Sequence, residues 1–298
     1  MRKILVTGAD GFTGRYLAIE LQHAGYEVHG LVRKPSVDSI AGVSALHIAN
    51  LSDSAALRSV IRTVQPDKVV HLAAISFVAH GDVEAIYRTN LIGTHNLLES
   101  LSAEARTLNS VLIASSSNVY GNIGGVLEES TLPYPANDYA VSKLAMEYAA
   151  RLYADRLPLI TVRPFNYTGV GQGESFLIPK IISHVRKLAP LIELGNLDVA
   201  RDFSDVRNVV QSYRRLLENP DAIGQTFNVC SGRAWSLNDV LNMAREISGH
   251  DFEVRVNPAF VRHNEVKTLV GSRAKLDAVV GKVPEIALRD TLRWMLEA

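Results

Sequence analysis

The segment Gly8-Ala9-Asp10-Gly11-Phe12-Thr13-Gly14 limits what this chain can fold into more than any other stretch. A short apolar run, Lys3 to Thr7, leads straight into it, and an amphipathic segment, Phe12 to Ala24, leads out. Glycines three residues apart at such a junction let the backbone approach a pyrophosphate. The open N–H groups of the following helix favour negative charge at the same place. A glycine triplet alone is weak evidence, but here a strand precedes it and a helix follows.

The first half continues in the same alternation. Strands are expected at Glu27–Val32, Leu46–Ile48, Val69–Ala73, Val111–Ser115 and Leu159–Arg163. Helices are expected at Asp53–Val64 with Asp53 as cap, at Val83–Glu104, and at Asp138–Asp155. Strands alternating with helices imply right-handed crossovers and a parallel sheet covered on both faces. The fold class is α/β, a Rossmann doubly wound parallel sheet with a smaller mixed α/β substrate-binding C-terminal domain. Residues 1–165 would form the first unit, with 204–230 returning to it. Residues 166–203 and 231–298 would form the second.

Lysine plus arginine number 31 and so do aspartate plus glutamate, so no global field draws in nucleic acid or a membrane surface. The single cysteine, Cys230, excludes an internal disulfide and reads as a small buried residue in a strand. The histidines, among them His71, His95, His184 and His263, show no metal-ligand spacing, and no metal site is expected. Trp235 and Trp294 read as packing residues. No apolar run reaches the roughly 18–20 residues of a membrane span. The first residues do not read as a signal peptide, so a cytoplasmic protein is expected.

Two places carry chemistry. The second strand ends in Leu31-Val32-Arg33-Lys34, where an NAD enzyme usually has an acid for the ribose hydroxyls. Two cations suit a 2′-phosphate instead, so NADP(H) is expected over NAD(H), which stays open. Tyr139 and Lys143 are four residues apart and share one helical face. A neighbouring ammonium would favour the phenolate, allowing proton exchange with an alcohol or ketone near neutral pH. The strand before them ends in Ser115-Ser116-Ser117-Asn118-Val119-Tyr120-Gly121, at the sheet edge where ligands of such folds bind.

The glycine loop, the Ser-Ser-x-x-Val-Tyr-Gly segment and the Tyr-x-x-x-Lys pair together resemble the extended short-chain dehydrogenase/reductase family. His71-Leu72-Ala73-Ala74, the stretch from Asn90 to Leu98, and Arg163-Pro164-Phe165-Asn166 add to a likeness that runs nearly end to end. The resemblance implies that Ser116 holds the reacting oxygen, Tyr139 gives or takes its proton, and Lys143 holds the nicotinamide ribose. It implies cofactor contacts from Gly8, Gly11, Phe12, Thr13, Gly14, Arg33, Asn50, Leu51, Leu72, Ala73, Ala74, Asn90, Tyr139, Lys143 and Arg163. Asn50 departs from the aspartate often found at its position. A homodimer through the helices near 83–104 and 138–155 is implied as well.

The second half narrows the substrate. Gly195-Asn196-Leu197-Asp198-Val199-Ala200-Arg201-Asp202-Phe203 and Arg262-His263-Asn264-Glu265-Val266 are similar to segments of enzymes acting on GDP-mannose derivatives. Arg201 and Arg262 offer guanidinium forks to a diphosphate, and Glu265 can accept from a ribose hydroxyl. With Ser116, Ser117, Asn118 and Asn166 they form the expected substrate set. Related 4,6-dehydratases carry Glu at position 118, and related epimerases carry Cys there with a His at position 171. Asn118 cannot shuttle a proton and position 171 is Gly. The chemistry implied is therefore reduction of the C4 ketone of GDP-4-dehydro-6-deoxy-D-mannose. Its product would be the rhamno or the talo epimer, with a 4-epimerase or dehydratase as the alternative.

Overall fold

The computed structural model describes residues 2–35, 39–76, 81–261 and 267–298. Strand β1 (Lys3–Thr7) leads to helix α1 (Phe12–His23), strands β2 (Glu27–Val32) and β3 (Ala45–Ile48), helix α2 (Ser54–Val64) and strand β4 (Lys68–His71). Helices α3 (Val83–Tyr87) and α4 (Gly93–Glu104) flank a π turn at Arg88–Ile92, and β5 (Ser110–Ala114) follows. Next come β6 (Gly125–Leu127), α5 (Asp138–Arg151), β7 (Leu159–Pro164) and β8 (Asn166–Thr168). The remainder holds α6 (Leu177–Arg186), β9 (Leu191–Leu194), β10 (Ala200–Asp205), α7 (Val206–Glu218), β11 (Thr226–Val229) and β12 (Ala234–Ser236). It closes with α8 (Leu237–Ser248), β13 (Glu253–Val256), β14 (Thr268–Gly271), α9 (Ala274–Val280) and α10 (Leu288–Glu297).

Seven strands pair in the order β11-β7-β5-β4-β1-β2-β3, and every pairing is parallel. Successive side chains point to opposite faces, so Ile4, Val6, Val70 and Leu112 enter one core with α1 and α7. Leu5, Val69, Val111 and Ile113 enter the other with α2, α4 and α5. Burial on both faces is why these strands read as continuous apolar runs. From β1 the chain runs outward through β2 and β3, then returns to lay β4 and β5 on the other side. A crevice opens at the carboxyl ends of β1 and β4, where the direction reverses.

A second sheet, β12-β10-β14-β6, carries β8 alongside β10, and β9 pairs with β13 in a small separate sheet. Ile181, Ile192, Phe203, Leu241 and Leu292 form its core. Asp205 ties the parts together, accepting from the Arg207 backbone at 2.8 Å and its guanidinium at 2.7 Å, and from the Thr291 hydroxyl at 2.7 Å. Trp294 packs edge-on to Tyr16 of α1 and lies under the Arg207 guanidinium, while the Arg233 guanidinium covers Trp235.

Two expectations change. The helix expected from 83 to 104 runs that length but contains a π turn, whose reason lies in Asn90 and is given below. Cys230 is buried but sits just past β11, and burial pushes its thiol up. Among the described residues no helix is long and apolar enough to cross a membrane, and no cluster of His, Cys, Asp or Glu could hold a metal ion.

Candidate active site

A cleft of about 940 Å³ opens over the carboxyl ends of β1, β4 and β5 and runs toward the second sheet. The turn after β1 forms its floor. Gly8 has φ +69, its N–H bonds the Leu31 carbonyl at 2.9 Å, and a Cβ there would lie 3.0 Å from the Ala73 backbone. A Cβ on Gly14 would overlap the Gly8 carbonyl oxygen. Helix α1 starts at Phe12 with Gly11 as an N-cap that lends no side chain, so its first N–H groups remain available to an anion. Thr13 bonds the Tyr167 hydroxyl at 2.8 Å, and the Phe12 ring stacks on Tyr167. The Ser115 hydroxyl is buried at the cleft wall without a hydrogen-bond partner among the described residues. Arg33 is exposed at the rim. Asn50 caps the following turn, accepting from the Ser52 N–H at 3.1 Å, with Leu51 buried beside it. This cradle fits a dinucleotide.

Helix α5 begins at an Asn137 cap, which accepts from the Ala140 N–H at 2.9 Å, and so places Tyr139 and Lys143 on the cleft face. Ser116 follows β5 and faces them. Its hydroxyl lies close enough to Tyr139 to lower its proton affinity, and it accepts from both the backbone N–H and the side-chain amide of Asn118, at 3.1 and 3.0 Å. The Lys143 ammonium donates to the Ala114 carbonyl at 2.8 Å. The expected lowering of the Tyr139 proton affinity by Lys143 is not what the structure holds. Burial dominates and pushes Tyr139 up to about 12, with only the Ser116 contact pulling it down. Burial also takes Lys143 down to about 8, against an opposing pull from Glu147.

Beneath the cleft runs a hydrogen-bond chain that sequence reasoning missed. Thr94 donates to the Asn90 carbonyl at 2.7 Å, so its oxygen receives the Nε2–H of His71 at 2.8 Å. His71 Nδ1 therefore accepts from Thr7 at 2.7 Å, and the Thr7 oxygen accepts from the Ala73 N–H at 3.1 Å. Burial holds His71 neutral, with its pKa down to about 3. The chain fixes the loop Leu72–Ala74 against β1. The sequence offered only the segment, since nothing in it shows which hydroxyls meet the ring.

Two residues assigned to the cofactor lie elsewhere. Asn90 is buried under the cleft with its side chain spent: Oδ1 accepts from the Ile75 N–H at 2.8 Å, and Nδ2 donates to the Ile75 carbonyl at 3.1 Å and to Ser142 at 3.0 Å. The π turn widens the helix where these bonds form, joining the loop after β4 to α5. Arg163 is likewise turned inward. It donates to Glu147 of α5 at 2.9 and 2.7 Å and to the Tyr120 hydroxyl at 3.0 Å. Both are supports rather than walls. Leu72, Ala73, Ala74, Ser117, Asn166 and Arg201 do line the cleft, along with Tyr167, Phe176, Tyr213 and Phe260, which the sequence had not singled out. Arg262 and Glu265 lie outside the described residues.

The family model for GDP-mannose 4,6 dehydratase matches residues 5–295. The chain is 35% identical to a GDP-6-deoxy-D-talose 4-dehydrogenase of Aggregatibacter actinomycetemcomitans, over 94% of this chain and 91% of that one. It is 32% identical to a GDP-6-deoxy-D-mannose reductase of Pseudomonas aeruginosa, over 99% and 96%. Among solved structures, a Burkholderia cenocepacia J2315 protein described as a candidate epimerase matches with TM-score 0.94 and 52% identity, covering 99% of this chain and 97% of that one. RMD from Pseudomonas aeruginosa complexed with NADPH matches with TM-score 0.86 and 30% identity, covering 100% and 97%. MoeE5 in complex with UDP-glucose and NAD matches with TM-score 0.89 and 28% identity, covering 99% and 97%.

Proposed function

Because the chain belongs to the GDP-mannose 4,6-dehydratase family within the extended short-chain dehydrogenases/reductases, we propose that it reduces the C4 ketone of GDP-4-dehydro-6-deoxy-D-mannose with NADPH, forming GDP-6-deoxy-D-mannose (GDP-D-rhamnose). One observation carries the reading: Ser116 and Tyr139 line one cleft while position 118, where dehydration needs an acid–base group, holds an amide bonded to Ser116. Talose and mannose differ at C4, so a 6-deoxy-talose 4-dehydrogenase and a 6-deoxy-mannose reductase share one ketone. That is the carbon a single tyrosine–serine pair can serve.

A reduced nicotinamide supplies the hydride when bound. Tyr139, protonated at neutral pH, gives its proton to the oxygen that gains charge, and Ser116 donates a hydrogen bond to the same oxygen. The turn at Gly8–Gly14 holds the pyrophosphate of the cofactor, and Arg33 pairs with its 2′-phosphate. Lys143 holds the ribose beside the reacting carbon. In this reading residues 1–165 with 204–230 hold the cofactor. Residues 166–203 and 231–298 hold the GDP-sugar, through Asn166, Arg201, Arg262 and Glu265. The reading also carries a cytoplasmic homodimer through α4 and α5, where Val141 and Tyr148 are exposed.

The test mixes the protein with GDP-4-keto-6-deoxymannose and each reduced cofactor, follows nicotinamide absorbance, and reads the C4 configuration of the product by NMR. Stoichiometric NADPH consumption with an equatorial C4 hydroxyl is expected; an axial one would reassign the product to the talo epimer. GDP-mannose alone should yield no 4-keto-6-deoxy product. Appreciable dehydration in that arm would overturn the reductase reading.

A further inference from the structure

We propose that Asn118 is a positioning residue that fixes the rotation of the Ser116 hydroxyl, so that its one proton faces the Tyr139 side of the cleft, where the reacting oxygen arrives. This deepens the reductase reading and rests on it for the kinetic arm of the test alone. A serine hydroxyl has one proton and two lone-pair positions, and it rotates to suit its surroundings. Asn118 occupies both lone pairs, with its backbone N–H at 3.1 Å and its side-chain Nδ2–H at 3.0 Å. The one proton is left to point away from Asn118, toward the Tyr139 side of the cleft, where Ser116 pulls the proton affinity of Tyr139 down. Ser116 is buried at the carboxyl edge of the sheet, whereas Asn118 is exposed and lines the cleft. The amide is therefore not there to fill a core, and the bond it makes is the bond that removes the rotational freedom of Ser116. An oxygen arriving between Ser116 and Tyr139 receives the phenol proton and turns the Ser116 proton onto itself by a small rotation, because Asn118 already holds that hydroxyl facing this side of the cleft.

A carboxylate at position 118 would invert this geometry. It cannot donate, so it would accept the Ser116 proton and take it from Tyr139. The primary test needs no substrate: full-length protein labelled at tyrosine Cζ, with the Tyr139 resonance assigned by its loss in Tyr139→Phe. Asn118→Asp should move that resonance to its position in Ser116→Ala, and Asn118→Ala should move it part of the way. In steady-state reduction of the GDP-linked ketosugar, Asn118→Asp should lower kcat roughly tenfold, the rate equivalent of one neutral hydrogen bond, and change KM little. In a Ser116→Ala background the same substitution should cost no further kcat, because the two residues act through one hydroxyl. An unmoved Tyr139 resonance in Asn118→Asp, or the full tenfold loss persisting without Ser116, would overturn the proposal. A wild-type protein that fails to reduce the ketosugar would count against the reductase reading, and the tyrosine resonance would still decide the role of Asn118.

Discussion

Burial favours the neutral form of Tyr139, and that choice suits proton donation. A phenol held up to about 12 carries its proton at neutral pH, ready for an oxygen that gains charge. Tyr139→Phe removes the proton with little change of volume. It should lower turnover by at least ~10²-fold while the cofactor still binds, as single-turnover kinetics and a cofactor titration would show. Lys143, held down to about 8, loses its ammonium as pH rises through that value. The kcat/KM for reduction should therefore fall on an alkaline limb centred near 8; a profile flat to the tyrosine range would refute the assignment. At the rim, Arg33→Asp sets a carboxylate against a 2′-phosphate and should move preference from NADPH toward NADH. A wild type that already prefers NADH would sink the reading of Arg33.

The elements around the site hold it by polar ties rather than by apolar packing alone. The π turn between α3 and α4 presents Asn90 to Ile75 and Ser142, and Ser142 bonds the Tyr139 carbonyl at 2.7 Å. The pair between Arg163 of β7 and Glu147 of α5 holds that helix to the sheet one turn beyond Lys143. Breaking such a pair leaves a buried charge uncompensated, so Arg163→Met should destabilise the fold by about 3–5 kcal/mol. Adding Glu147→Leu should recover most of that loss in denaturant unfolding. The double variant should also retain NADPH affinity, because Arg163 is turned away from the cleft; a large loss of affinity there would restore it as a cofactor ligand.

Across the whole molecule, the cleft bridges the large sheet and the second one, which in the proposed reading lets different units hold the reacting end and the nucleotide end. Arg201 of β10 lines the second part, donating to the Ala200 carbonyl at 2.9 Å. A contact equally strong before and during reaction sets KM rather than kcat. Arg201→Ala should raise KM for the GDP-sugar with a smaller change in kcat. The dTDP- and UDP-linked ketosugars should react more slowly in competition assays; equal kcat/KM for the dTDP form would refute the GDP preference and leave the reductase chemistry standing.

Local patterns were enough for much of this. The turn Gly8–Gly14, the alternation through Pro164 and the Tyr139–Lys143 spacing are all short-range features, because sterics and strand or helix period act over a few residues. They specified the parallel sheet and the glycine turn at its carboxyl edge, and they put Tyr139 and Lys143 on one helical face, which the structure turns to the cleft. Long-range contacts decided the rest. That Asn90 and Arg163 would turn inward depended on Ser142 and Glu147 reaching them across 52 and 16 residues. The neutral His71 and its tautomer depended on Thr7 and Thr94, brought together only when β1, β4 and α4 pack. The proton affinity of Tyr139 was misjudged from spacing for the same reason. An i, i+4 pair fixes which groups are neighbours, whereas the tertiary fold fixes how much water surrounds them, and at this site desolvation outweighs the neighbouring charge.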